Sequence, residues 1–139
     1  MKLSHPVVDL CIVCSNFEES LTFYRDKLGF EMVLDIDIPE DLATGIGLAP
    51  QGFRQVRLQA GETLIKLMDI AAPPPQRTSQ FAAGVRWLTF FVADVQAECA
   101  ALQAKGVEFL SEPMAAPDTP GDVCTMDPHG VLIELVQRW

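Results

Sequence analysis

Two apolar runs with matching punctuation organise the chain. Asp9-Leu-Cys-Ile-Val-Cys-Ser-Asn16 and Trp87-Leu-Thr-Phe-Phe-Val-Ala-Asp94 are each rich in β-branched, aromatic or thiol side chains, and each ends on an Asn or Asp. Such runs predict strands. Helical spacing follows in both copies: Phe17, Leu21, Tyr24 and Leu28 in the first, Val95, Cys99 and Leu102 in the second. Asn16 and Asp94 are natural N-caps, and Gly29 and Gly106 stand where each helix should stop. Short strands are expected next, at Phe30–Asp35 and Val107–Leu110.

The later parts also match. Thr63-Leu-Ile-Lys-Leu-Met68 and Val131-Leu-Ile-Glu-Leu-Val136 share Leu-Ile-x-Leu. Further strands are expected at Phe53–Gln59 and Val123–Met126, and Asp127-Pro-His-Gly130 reads as a hairpin turn. The chain therefore reads strand–helix–strand–strand–strand twice. Module 1 spans about 5–70 and module 2 about 84–139. A Pro-rich crossover, about 71–83, includes Pro73-Pro-Pro75 and cannot be a helix interior or a central strand. The longest irregular stretches, Ile38–Gly52 and Ser111–Gly121, are candidate lids or plain surface connections.

Composition adds limits. The chain has 139 residues, 49% hydrophobic, with 10 basic and 19 acidic side chains and a formal charge of −9. That suits one packed domain and argues against nucleic acid or an anionic membrane as partner. No apolar run approaches the roughly 18 residues of a membrane span, and the N-terminus lacks a signal-peptide core. A cytoplasmic protein with free thiols is expected. Cys11 and Cys14 have C-x-x-C spacing, but strand geometry points them to opposite faces, which makes them poor redox or zinc partners.

Three stretches carry a family resemblance: Asn16-Phe-Glu-Glu-Ser-Leu-Thr-Phe-Tyr-Arg-Asp-Lys-Leu-Gly-Phe30, Val92-Ala-Asp-Val95 with Ala104-Lys-Gly-Val107, and Asp127-Pro-His-Gly-Val-Leu-Ile-Glu-Leu-Val136. Together the sequence resembles the vicinal oxygen chelate superfamily: glyoxalase I, bleomycin-resistance and fosfomycin-resistance proteins, and extradiol dioxygenases. The resemblance implies an α+β fold, with two βαβββ modules forming a curled mixed sheet around a cup, and commonly a homodimer. It also implies a divalent metal held by four side chains, one from the first and last strand of each module. Those positions fall on Asp9, Lys66, Trp87 and Glu134.

Only Glu134 matches the usual ligand type. Trp offers no basic nitrogen, and Lys is a cation that would have to lose its proton. His5 and His129 read as solvated polar residues. No metal or other cofactor is expected, with a divalent metal as the alternative. Lys66 is instead expected to supply positive charge between Asp9 and Glu134.

Strand alternation assigns the rest of the cup. Cys11 and Val13 go with Asp9, Leu64 and Met68 with Lys66, Thr89 and Phe91 with Trp87, and Leu132 and Val136 with Glu134. The candidate ligand-binding set is Asp9, Cys11, Lys66, Met68, Trp87, Thr89, Phe91 and Glu134. Arg54 and Arg57 are both near enough to reach an anion, but they cannot both face inward. Two functions remain open. One is a metal-free protein that binds a small organic molecule. The other is a glyoxalase-type lyase, isomerase or dioxygenase with Glu134 as base or metal ligand.

Overall fold

The computed structural model describes residues 1–76, 81–126 and 131–138. The chain divides into two compact units, Met1–Pro75 and Gln76–Trp139, and the division falls inside the expected crossover. The turn Asp127–Gly130, with His129, lies outside the described residues.

In the first unit the elements run β1 (Leu10–Val13), α1 (Phe17–Leu21), a π-helical turn (Thr22–Lys27), β2 (Glu31–Ile38), α2 (Glu40–Gly45), β3 (Phe53–Ala60) and β4 (Thr63–Asp69). The second contains β5 (Trp87–Val92), α3 (Val95–Ala104), β6 (Met114–Ala115), β7 (Asp122–Met126) and β8 (Leu132–Gln137). Each unit holds a four-stranded mixed sheet, ordered β1-β4-β3-β2 and β5-β8-β7-β6. The fold class is α+β, with open sheets. The repeat extends to register: Cys11 pairs with Lys66 across the parallel β1–β4 ladder, and Thr89 with Glu134 across β5–β8.

One face of each sheet is closed by a helix. Ile65, Leu67, Val56 and Leu58 are fully buried in the first unit, along with Phe17, Leu21 and Tyr24 from the helix. Their counterparts are Ile133 and Leu135 from β8, with Val95, Cys99 and Leu102 from α3. All four cysteines are free thiols, with Cys11 exposed and the other three buried.

The helix ends explain one departure from the sequence reading. Asn16 and Asp94 cap as expected, their side chains accepting the backbone N–H of Glu19 and Ala97. At the end of α3, Gly106 takes the left-handed conformation (φ 81°), its N–H bonds the Gln103 carbonyl, and Val107 N–H bonds the Leu102 carbonyl. This is a Schellman motif, in which the residue after the glycine commonly makes a hydrophobic contact with the last helical turn, and Val107 and Leu102 are both buried. Val107 is thus committed to the cap, and the expected strand Val107–Leu110 does not form. The outer strand is the two-residue β6, inside the stretch read as loop.

The first helix has one residue more between its cap and its glycine, 13 positions from Asn16 to Gly29 against 12 from Asp94 to Gly106. The extra residue is taken up by wider winding. Leu28 N–H reaches back five residues to the Phe23 carbonyl, the i→i−5 bond of a π turn, and Phe30 N–H reaches back six, to that of Tyr24.

A second departure concerns 38–52. This stretch contains α2, whose Ala43 packs with Phe53, Met68 and Ile70 into a small core of its own. Since Phe53 and Met68 project from the sheet face opposite α1, α2 covers one end of that otherwise open face.

Candidate functional site

The open face of the second unit is built in rows by its ladder. Thr89, Glu134 and Thr125 lie side by side across β5, β8 and β7, and Phe91, Val136 and Val123 form the next row. Alternation sends Leu88, Ile133 and Leu135 to the core and leaves this set outward. Thr89 Oγ1 donates to Glu134 Oε2 at 2.6 Å, which fixes the half-buried carboxylate against its strand neighbour. Trp87 and Phe91 keep more than half of their surface exposed. The Arg138 guanidinium lies 5.2 Å from the Phe91 ring centre, within cation–π range. These side chains, with Asp118, Thr119, Val123 and Val136, line a pocket of about 440 Å³. That volume suits a small organic molecule.

The open face of the first unit is built in the same way, with different chemistry. Cys11, Lys66 and Arg57 form the row equivalent to Thr89, Glu134 and Thr125. Asp9, just before β1, accepts the Leu64 N–H at 3.1 Å and the Lys66 ammonium at 3.3 Å. The Leu64 N–H, then Lys66 and Arg57, hold its carboxyl below the usual carboxylate range against the opposing effect of desolvation. The Cys11 thiol is pushed up by burial, partly offset by Lys66.

The depressed Asp9 carboxyl fixes the sign of a pH effect. Its contribution is fully present above the unfolded value, about 3.9, and is lost as pH falls through the lower folded one. Asp9→Asn should therefore flatten the acid limb of stability below about pH 4. Urea midpoints measured from pH 6 to 2 check this, and an unchanged limb in the variant would contradict it.

The structure therefore joins Asp9 to Lys66, with Cys11 beside them, and joins Trp87, Thr89, Phe91 and Glu134 in one pocket. Met68 has the expected parity but lies only 5% exposed, under α2. Of the two arginines, Arg54 turns to the helix side, paired with Asp35 at 2.9 Å and stacked over Phe17. Arg57 takes the open face. Val123 and Arg138 of the pocket follow from alternation with Glu134, whereas Asp118 and Thr119 sit in a loop that carries no periodic signal. Among the described residues, no three His, Cys, Asp or Glu side chains converge as a metal-ligand group, and no helix is long and apolar enough to cross a membrane.

Doubled βαβββ units with a pocket on an open sheet face define a class, and comparison with known proteins gives it a family. A model of the Glyoxalase/Bleomycin resistance protein/Dioxygenase superfamily matches residues 2–135, and the chain belongs to that superfamily. Among relatives, it is 29% identical over 131 residues to the uncharacterized protein YwkD of Bacillus subtilis (strain 168), covering 93% of this chain and 94% of that one. A crystal structure of a glyoxalase family protein from Bacillus cereus is similar at a TM-score of 0.76 with 20% identity, over 98% of this chain and 96% of that one. TnmS3, an antibiotic binding protein from Streptomyces sp. CB03234, gives a TM-score of 0.68 with 27% identity, over 100% and 99% of the two chains.

Proposed function

We propose that this protein binds a flat organic small molecule on the open face of its second sheet, without a divalent metal. The observation that carries this reading is the pocket itself: two exposed aromatic rings, Trp87 and Phe91, flank a carboxylate held in place by Thr89. Exposed rings supply stacking area at little cost in conformational entropy, and a fixed carboxylate orients a donor or cation on the ligand. The similarity to TnmS3 supports an antibiotic or a molecule of that kind as the ligand.

The donor set supports the absence of a metal. Of the four positions at which relatives hold one, Trp87 has no lone pair to give. Lys66 is an ammonium already bound to Asp9, and Glu134 accepts from Thr89. A divalent cation needs three or four N or O donors, and two separately engaged carboxylates do not fit that need.

The test has two arms. Titration of tryptophan fluorescence with bleomycin and other planar aromatic antibiotics should reveal saturable binding by at least one. Trp87→Ala should weaken that binding about tenfold, as expected for loss of a stacked ring. Protein purified without chelators should carry far less than one equivalent of divalent metal, and EDTA should leave its melting temperature unchanged. Stoichiometric metal with a chelator-sensitive melt would overturn the metal-free reading. Equal binding by wild type and Trp87→Ala would overturn the assignment of the site.

A further inference from the structure

We propose a redox-sensitive modification site in the core of the second unit: Cys99 and Cys124 join as an intramolecular disulfide when the protein meets hydrogen peroxide, clamping α3 to β7. Both residues belong to this one unit, and the proposal holds whatever ligand the pocket takes.

Two buried thiols from different elements meet here. Cys99 stands on the buried side of α3, one turn after the fully buried Val95. Cys124 stands on the core face of β7, where it pairs with Leu135 of β8. Their sulfurs are 2.7 Å apart. A disulfide closes at about 2.05 Å, so the bond asks for a side-chain adjustment and no movement of helix or strand. The other two cysteines are not poised in this way. Cys11 is exposed on the opposite face of its strand, and the buried Cys14 turns its sulfur toward the Ile12 carbonyl.

The repeat shows that packing alone does not call for sulfur. Helix register and strand pairing place Leu21 and Val56 at the equivalent positions of the first unit, 5% and 0% exposed. Hydrocarbon fills both places there. The second copy puts a thiol at each, and the two touch. A single buried cysteine is an ordinary small core residue; a facing pair is a latent cross-link.

The environment also orders the chemistry. Burial pushes both thiols up, and their contact then lowers Cys99 while raising Cys124 further. Cys124 is thus the S–H donor and Cys99 the first to lose its proton. The Cys99 thiolate attacks one peroxide oxygen, the O–O bond breaks, and hydroxide leaves as water with the proton Cys99 released. Cys99 is then a sulfenic acid. The Cys124 sulfur attacks the Cys99 sulfur, the S–O bond breaks, and a second water leaves with the Cys124 proton. Two thiols have lost two electrons, and one peroxide has become two waters. Because the resolving thiol is already in contact, oxidation stops at the disulfide and does not proceed to the sulfinic acid. The bond links positions 25 apart. The loop it closes contains the end of α3, the Gly106 cap, β6, and the Asp118–Thr119 wall of the pocket.

The experiment treats the reduced full-length protein with a small excess of hydrogen peroxide, alkylates the remaining thiols and digests with trypsin. Cleavage after Lys105 separates Cys99 from Cys124, so their peptides stay together only through a disulfide. The expected main product is this joined pair, released by dithiothreitol. The oxidised protein should have a urea midpoint higher by about 1 M, as for a cross-link closing a loop of this length. Cys99→Val and Cys124→Val should each abolish both the joined peptides and the shift. Peptide mapping of the wild type decides the question even if a variant fails to fold. Links through Cys11 or between chains, sulfinic acid at Cys99 without a link, joining only after unfolding in urea, or an unchanged midpoint in the linked protein would each overturn the proposal.

Discussion

Leu67→Ala is expected to cost about 2–5 kcal/mol, the usual range for truncating a fully buried leucine. Leu67 sits at 0% exposure on β4, which is hydrogen-bonded to β1 on one side and β3 on the other. Ile65, Val56 and Leu58, also at 0%, share the helix-facing side of the sheet with it. Strands paired on both edges cannot easily collapse into a cavity, which places the effect in the upper part of that range. Domains of this size have about 5–15 kcal/mol in total, so the loss is a large share. The repeat supplies an internal comparison. Leu135 occupies the same place on β8 at 3% exposure, and Leu135→Ala should cost a similar amount. Urea unfolding followed by far-UV circular dichroism measures both. Tryptophan fluorescence adds a reporter that belongs to the second unit, since both tryptophans, Trp87 and Trp139, lie there. A cost below about 1 kcal/mol at either position would contradict the buried, doubly paired placement.

Gly121→Ala is expected to be nearly as damaging, for a backbone reason. A Cβ at Gly121 would stand 2.5 Å from the Gln137 carbonyl oxygen and 2.6 Å from its Cβ, closer than real contacts allow. The obstacle is main chain and strand, not the end of a flexible side chain. Gln137 is also a junction: its carbonyl accepts the Thr119 hydroxyl at 2.7 Å, and its side-chain oxygen accepts the first N–H of α3, from Val95, at 3.1 Å. Moving Gln137 aside disturbs the helix start and the loop carrying Asp118 and Thr119, which is a wall of the pocket. Overpacking of this kind costs about 1–3 kcal/mol or more. The expected result is a lowered urea midpoint together with weakened ligand binding. Gly45→Ala is the control: its added methyl meets nothing within 4 Å in α2, and it should be neutral or slightly stabilising. Equal behaviour of the two variants would show that Gly121 is not constrained as described.

Much of this fold can be read from the chain because it is written twice. The capped turns at Asn16 and Asp94, the glycines at 29 and 106, and the shared Leu-Ile-x-Leu of β4 and β8 each repeat a local signal. Agreement between copies turned weak signals into an architecture. What was not legible falls where one local signal serves two masters. Val107 looks like the start of a strand because it is apolar and β-branched, and those properties serve equally as the hydrophobic closure of a Schellman motif. The stretch 38–52 is rich in Gly, Pro and Ala, and only the burial of Ala43 against Phe53 and Met68 reveals α2 as packed structure. For the site, alternation placed Asp9 with Lys66 and Trp87 with Glu134 on outward faces. It also placed Met68 there, because parity says which side a residue takes and not what covers that side. Arg54 and Arg57 needed the ladder itself, since an odd spacing separates their faces without saying which is which.

The π turn at Thr22–Lys27 shows how the first copy tolerates one residue too many. A sheet counts its partners in steps of two, so an insertion passed on to β2 would turn that strand over. The wider winding absorbs the surplus before Gly29, and the ladders downstream keep their phase. A single-residue deletion inside this turn should thus be a quiet change. It would convert the first helix to the length of the second and leave Cys11 opposite Lys66. The same deletion within a strand would turn its remaining side chains inside out.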